Sequence, residues 1–228
     1  MCEAITTVPG VRVGHYTDSA NATGCTVVLF EQGAVGGVDV RGAAPGTREI
    51  DLLRPGNLVE RIHAIVLSGG SAYGLDAASG VMKYLEEQGI GFQIGPTIVP
   101  IVASAILFDL GLVTHEVRPG PEEGYQACKH ASSEQVREGS VGAGTGATVG
   151  KILGMHRAVK GGLGTTCIDL GDGLLVGAIV AVNSIGSVID PATNQILAGP
   201  RKEDSSGFLD TVELMVQPGF QATESQVP

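Results

Sequence analysis

Apolar positions along the chain fall into short runs with two different periods, separated by glycine and proline. ATGCTVVLF (22–30) and HAIVLSGG (63–70) are near-continuous apolar stretches of strand length, the second running directly into a glycine pair. AVGGVDV (34–40) follows the first after Glu-Gln-Gly, which predicts a glycine-containing hairpin between 22–30 and 34–40. The period changes in SAYGLDAASGVMKYLEEQG, where Leu75, Ala78, Met82 and Leu85 form one helical stripe and Gly89 supplies a stop. Two more helices are predicted, at 100–110 and over EEGYQACKHASSEQV (122–136), and Pro-Gly pairs at 9–10, 45–46, 55–56, 119–120 and 218–219 mark turns.

From residue 139 onward glycine is threaded through apolar sequence. SVGAGTGATVGKIL, GLGTTCIDL and GLLVGAIVAVNSIG read as long β segments, with Gly-Asp-Gly (171–173) turning the last two into a hairpin and DPATNQ (190–195) forming another turn. Strand runs and helix runs therefore segregate, and the fold class expected is layered α+β rather than a doubly wound βαβ sheet. The tail, FQATESQVP, is polar and lacks a final packing element, so the expectation is a chain that is cut rather than finished.

Composition narrows the class. A length of 228 residues suits one domain with a substantial core. Hydrophobic residues make up 43% and charged ones 17%, so part of the surface is expected to be covered by other subunits. Mean hydropathy is +0.23, in line with that expectation. With 35 glycines, no Trp and 4% aromatics, the interior should rely on close backbone packing over small residues. The net charge of −10 argues against nucleic acid and anionic membranes as partners. The N-terminus lacks the basic-then-apolar order of a signal peptide. The longest apolar run, TIVPIVASAILFDL (97–110), contains Pro100 and Asp109 and is too short to span a bilayer, and a soluble, cytoplasmic protein is expected. Cys2, Cys25, Cys128 and Cys167 are scattered without a C-x-x-C pair, which predicts buried free thiols rather than a zinc site or a disulfide framework. The five histidines show no metal spacing and no serine sits in G-x-S-x-G, so neither metal, cofactor nor nucleophile elbow is expected.

Two residues carry the candidate chemistry. GAGTGATVGK (142–151) looks at first like a phosphate loop, but that pattern needs Gly where Thr145 stands and a hydroxyl where Ile152 stands. Lys151 is then either an ordinary surface lysine after a strand or a functional ammonium. Asn183 interrupts the apolar run AIVAVNSIG, where a carboxamide is costly unless satisfied: it either bonds a neighbouring turn or serves a reaction.

VPGVRVGHYTD, TGCTVVLF, LSGGSAYGLDAASGV, GAGTGATVGK and GAIVAVNSIG occur here in an order that resembles the self-cleaving aminopeptidase/amidase family. That family includes the L-aminopeptidase/D-amidase/D-esterase type, the β-peptidyl aminopeptidases and nylon-oligomer endohydrolase. The lysine-bearing glycine run is most similar to the nylon-oligomer branch. The resemblance covers nearly the whole chain. It implies a four-layer αββα sandwich of the N-terminal-nucleophile-hydrolase type, made as a longer precursor that cuts itself once. On this reading residues 1–228 are a single-domain upstream fragment. The nucleophilic Thr or Ser then lies at the start of a smaller downstream fragment, the expected partner, in a homo-oligomer of heterodimers such as a tetramer.

The resemblance also implies the roles. Lys151 matches the family's active-site lysine, whose charge would lower the pKa of the threonine α-amine so that the amine can act as base. Asn183 matches the catalytic asparagine, its NH₂ aimed at the oxyanion. LSGGSAYG (67–74) resembles the substrate-side loop, placing Gly69, Gly70, Ser71 and Tyr73 at the substrate, with a strand-to-helix turn capped by Ser71 as the plain alternative. Phe108 falls where relatives often carry a pocket-wall tyrosine, or else is a simple core residue. The implied activity is hydrolysis of small peptides, amino-acid amides or 6-aminohexanoate-type oligomers. Acyl transfer of the ornithine acetyltransferase kind and a non-catalytic anion-binding protein are the alternatives.

Overall fold

A computed structural model describes residues 3–221. In chain order its strands and helices are β1 (Val11–Asp18), β2 (Thr23–Val35), β3 (Thr47–Arg48), β4 (Arg61–Ser68), α1 (Ala77–Glu87), β5 (Phe92–Ile94), β6 (Thr97–Val99), β7 (Val102–Ile106) and α2 (Pro121–Lys129). They continue with β8 (Thr148–Val149), β9 (Val159–Lys160), β10 (Gly162–Asp169), β11 (Leu175–Val182), β12 (Val188–Ile189), β13 (Ile196–Ala198) and α3 (Thr211–Met215). A five-stranded sheet in the order β1-β2-β4-β7-β3 forms the centre. All its pairings are antiparallel except β4 with β7, which α1 and the β5–β6 hairpin connect.

Each face of this sheet is covered by a different layer. Val27, Leu29, Ala64 and Val66 point to α1 and α2, where they meet Val81, Leu85, Ala127 and Cys128. Each fully buried Val or Leu in that layer is worth about 1.5–3 kcal/mol. The helices approach closely because Gly80 and Gly124 lack side chains: a Cβ on either would overlap the backbone of the other helix. The small-residue interior expected from composition is thus present. Val28, Ile65 and Leu67 point the other way, toward Ile179 and Ala181 of the β10–β11 hairpin. The described residues therefore form α, β and β layers of the expected sandwich. On β10–β11 the outward residues include Ile168, Val176 and Val180, each at least half exposed. No helix among the described residues is long and apolar enough to cross a membrane.

Several expected elements are corrected. The hairpin at Glu-Gln-Gly does not form, because β1 occupies one edge of 23–30 and β4 the other. Residues 31–35 instead run on as part of β2, with a register shift against β4 between Leu29 and Ala34. The helix expected at 100–110 is strand β7, buried on both faces through Val102, Ala103 and Ser104. A strand covered on both sides carries no alternation, so its apolar run is indistinguishable from a buried helix by period. The helix at 122–136 stops at Lys129, since Ser132 pairs with Val13 of β1 instead. The run 140–153 is not one long strand: two short 3₁₀ helices, Gly142–Gly144 and Lys151–Leu153, flank a strand of only Thr148–Val149. The hairpin across 171–173 is as expected, and the turn expected at 190–195 joins the antiparallel pair β12–β13. Cys25 and Cys128 are buried free thiols, and burial pushes Cys128 up to about 12. Cys167, by contrast, is disulfide-bonded, against the expectation of a free thiol. Cys2 and positions 222–228 of the polar tail lie outside the described residues.

Candidate active site

Lys151 and Asn183 are brought together by two backbone turns. After β8 the chain reverses at Gly150, whose φ of +73° and missing side chain allow it to lie against the backbone of Gly199 and Pro200. Asn183 is the first residue past β11. Hydrogen bonds from Gly150 N to Gly186 O (3.1 Å) and from Ile152 N to Ile185 O (3.3 Å) hold the two segments side by side.

The ammonium of Lys151 is fully committed to neutral oxygens. It donates to Asn183 Oδ1 (2.9 Å), Asn183 O (3.0 Å) and Thr148 O (3.2 Å), which accounts for all three of its protons. None of these acceptors is a carboxylate, so nothing offsets the loss of solvation, and burial lowers its pKa to about 8. At neutral pH about a tenth of such lysines are neutral and can accept a proton.

The orientation of the Asn183 carboxamide is set by its neighbours. Thr148 N (3.0 Å) and Lys151 Nζ (2.9 Å) are both donors, so the atom facing them is the oxygen. The Nδ2 on the opposite side donates to Phe108 O (3.2 Å), leaving one N–H unspent. The hydroxyl within reach of the pair, Thr148 Oγ1 at 3.5 Å from Asn183 Oδ1, belongs to a residue only 5% exposed and is not open to a substrate. The site therefore combines a proton acceptor or cation with a free hydrogen-bond donor, while the nearest other hydroxyl in sequence, that of half-buried Ser184, donates to Gly186 O (2.9 Å).

The remaining expected residues divide. Phe108 is half exposed, which removes the core-residue alternative, and its carbonyl touches the site. The Gly69–Ser71 turn lies next to it, but its N–H groups are spent internally. Gly69 N donates to Gly24 O, Gly70 N to an Asp109 oxygen at 2.7 Å, and Ser71 N to Leu107 O. These three N–H groups are therefore not available to donate to a ligand. Ser71 makes no side-chain cap and holds a positive φ of 53°. Tyr73 is exposed, with the Arg118 guanidinium 3.9 Å from its ring centroid. The glycine run 141–150 is buried and Lys151 points inward, so the anion-binding reading fails here. Sequence reasoning missed Asp109, Thr23 and Thr148. A lone carboxylate in the apolar run ILFDL was the visible signal for the first; the other two carry none.

Comparison with known proteins identifies the family. The chain is 46% identical over 205 residues to an uncharacterized aminopeptidase of Mycobacterium leprae (strain TN), covering 83% of this chain and 55% of the relative. It is 34% identical over 184 residues to a 6-aminohexanoate-oligomer endohydrolase of Kocuria sp. (strain KY2), covering 81% and 49% respectively. The chain thus spans about half the length of the curated relatives it matches. Among solved structures it superposes on the L-aminopeptidase D-Ala-esterase/amidase of Ochrobactrum anthropi, described as a variant of the Ntn-hydrolase fold. That match has a TM-score of 0.63 at 21% identity and covers 79% of this chain and 53% of the other. The α+β sandwich expected from the sequence is therefore the Ntn-hydrolase-like variant. The model of peptidase family S58 matches residues 3–206, and the chain belongs to that family.

Proposed function

We propose that this chain is the upstream part of an amide-bond hydrolase activated by self-cleavage, in which Lys151 and Asn183 serve an N-terminal Thr or Ser supplied by a downstream fragment. The observation that supports it is the Lys151–Asn183 pair: a lysine with pKa lowered to about 8, locked to a carboxamide that keeps one N–H free. Two steps would use the pair differently. Before cleavage the future α-amine is still a peptide nitrogen and cannot act as base. The neutral fraction of Lys151 would then take the hydroxyl proton as oxygen attacks the preceding carbonyl, and the tetrahedral oxyanion would lie on the spare Asn183 N–H. After cleavage the free α-amine would become the base, and a protonated Lys151 would keep that amine neutral by disfavouring a second charge. Acyl transfer from the amide to the hydroxyl and release by water complete the cycle.

The surface supports a missing partner. The outward face of β10–β11 presents Ile168, Val176 and Val180, and Leu170 and Leu174 at its turn are also exposed. An apolar face on a two-stranded ribbon calls for a cover. A downstream fragment that covers this face and adds strands at the edge of the ribbon would complete the second sheet and bring its first residue toward the end of β11, where Asn183 lies. A homo-oligomer of such heterodimers accounts for further exposed apolar surface. The higher identity to the mycobacterial aminopeptidase than to the endohydrolase weights the substrate toward small peptides and amino-acid amides over 6-aminohexanoate oligomers.

Intact-mass measurement on the full-length gene product tests the reading. Two fragments, the smaller beginning with Thr or Ser, and turnover of aminoacyl p-nitroanilides are expected. A single uncut polypeptide after prolonged incubation overturns it.

A further inference from the structure

Asp109 is a buried carboxylate, 6% exposed, that none of the chemistry above uses. Burial raises its pKa, opposed by the hydrogen bonds from Gly70 and Thr23 and by the charge of Lys160. Removing a carboxylate from water is costly, and an apolar side chain would fill the space at less expense. Three distant stretches of sequence nevertheless converge on it. Thr23 Oγ1 donates to Oδ2 at 2.8 Å and Gly70 N donates to Oδ1 at 2.7 Å. Gly69 and Gly146 leave out side chains where the carboxylate sits, since a Cβ on either would overlap it. The glycines of the substrate-side turn and of the 142–151 run are thus partly explained by a shared need to admit this carboxylate.

What Asp109 holds in place is the residue before it. Phe108 O is the acceptor that pins the Nδ2 side of Asn183, 3.2 Å away. The segment carrying Phe108 has already left β7. Leu107 ties it to the sheet through Leu107 N to Ser68 O (2.9 Å) and Ser71 N to Leu107 O (3.1 Å). On the far side of Phe108, the anchors to Gly70 and Thr23 are made by the Asp109 carboxylate.

We propose that Asp109 is a positioning residue that, through the Phe108 carbonyl, aims the free N–H of Asn183 at the reacting oxygen. This rests on the proposed role of Asn183 as oxyanion donor. Without the Asp109 anchors the Phe108 carbonyl shifts, the carboxamide turns with it, and a donor displaced by about 1 Å forfeits on the order of 10²-fold in rate. Because the oxyanion exists only in the transition state, the loss falls on kcat and leaves KM nearly unchanged.

The test is a double-mutant cycle in the full-length gene product, with kcat and KM normalised to the cleaved fraction. Asp109→Ala is expected to lower kcat by about 10²-fold with KM within about threefold of wild type. Asp109→Asn keeps an acceptor for Gly70 N and is expected to recover at least tenfold of that loss. If Asp109 acts through Asn183, Asp109→Ala added to Asn183→Ala costs no more than about threefold beyond Asn183→Ala alone. Should Asp109→Ala not fold, Thr23→Val replaces it in the cycle, with a smaller loss and the same non-additivity expected. Wild-type kcat in Asp109→Ala, or in Thr23→Val where that variant takes its place, overturns the proposal. So do losses that multiply in the double variant. Wild-type kcat in Asn183→Ala overturns the oxyanion reading itself and this proposal with it, which separates the two failures.

Discussion

Replacing Asn183 separates two jobs that its side chain performs at once. The carboxamide accepts from Thr148 N and Lys151 Nζ through Oδ1, and donates to Phe108 O through Nδ2 with one proton to spare. Asn183→Ala removes everything. Thr148 N loses its acceptor in a residue 5% exposed, a loss of about 1–3 kcal/mol in stability. Lys151 keeps its bonds to two backbone carbonyls, those of Thr148 and of residue 183 itself, and stays in place. The lost oxyanion donor raises the barrier by about 2.7–4 kcal/mol, which is about 10²–10³ in kcat. Asn183→Asp is the discriminating partner: a carboxylate still accepts from Thr148 N and Lys151 but donates nothing. It is expected to keep the Thr148 and Lys151 contacts, to set an acceptor oxygen against Phe108 O where a donor stood, and to lose at least as much kcat as the alanine variant. Self-cleavage followed by mass spectrometry and steady-state kinetics on the cleaved fraction measure both. Wild-type kcat in Asn183→Asp would refute the donor role, because every other interaction of the side chain save the one with Phe108 O survives that change.

Self-cleavage should depend on pH through Lys151. Its pKa is lowered to about 8, so the neutral, proton-accepting form is scarce below that value and dominant above it. The cleavage rate of freshly refolded precursor is expected to rise about tenfold per pH unit below 8 and to level off above it; a flat profile from pH 6 to 9 would exclude lysine as the base. Val180→Asp places a charge on an exposed face and should leave the upstream chain folded by circular dichroism while preventing stable association with the downstream fragment, read by size-exclusion chromatography. Gly69→Ala should lower the melting temperature, because its Cβ would overlap the Asp109 carboxylate; overpacking of about 1–3 kcal/mol corresponds to about 2–4 °C per kcal/mol in a chain of this size. An unchanged melting curve would mean that the Asp109 cradle is loose.

The local elements were legible wherever one physical signal dominated. The stripe of α1, the strand β4 and the hairpin across 171–173 follow from periodicity and turn chemistry acting over neighbouring residues. Lys151 and Asn183 stood out because a cation ending a glycine run and an amide inside an apolar run are each expensive to bury. Tertiary structure decided the rest. Whether 102–106 became helix or strand depended on β4 offering a free edge 38 residues upstream in register, Ala64 opposite Val102. Whether residues 34–40 folded back depended on β1 and β4 having already taken both edges of β2. The purpose of the glycines at 69 and 146 lay in a carboxylate from a third segment, and the hydrogen bonds that orient Asn183 come from positions 108, 148 and 151. Sequence determines how a residue prefers to bend and which atoms it can share; which distant atoms it shares them with is settled only when the layers close and each buried polar group must find a partner.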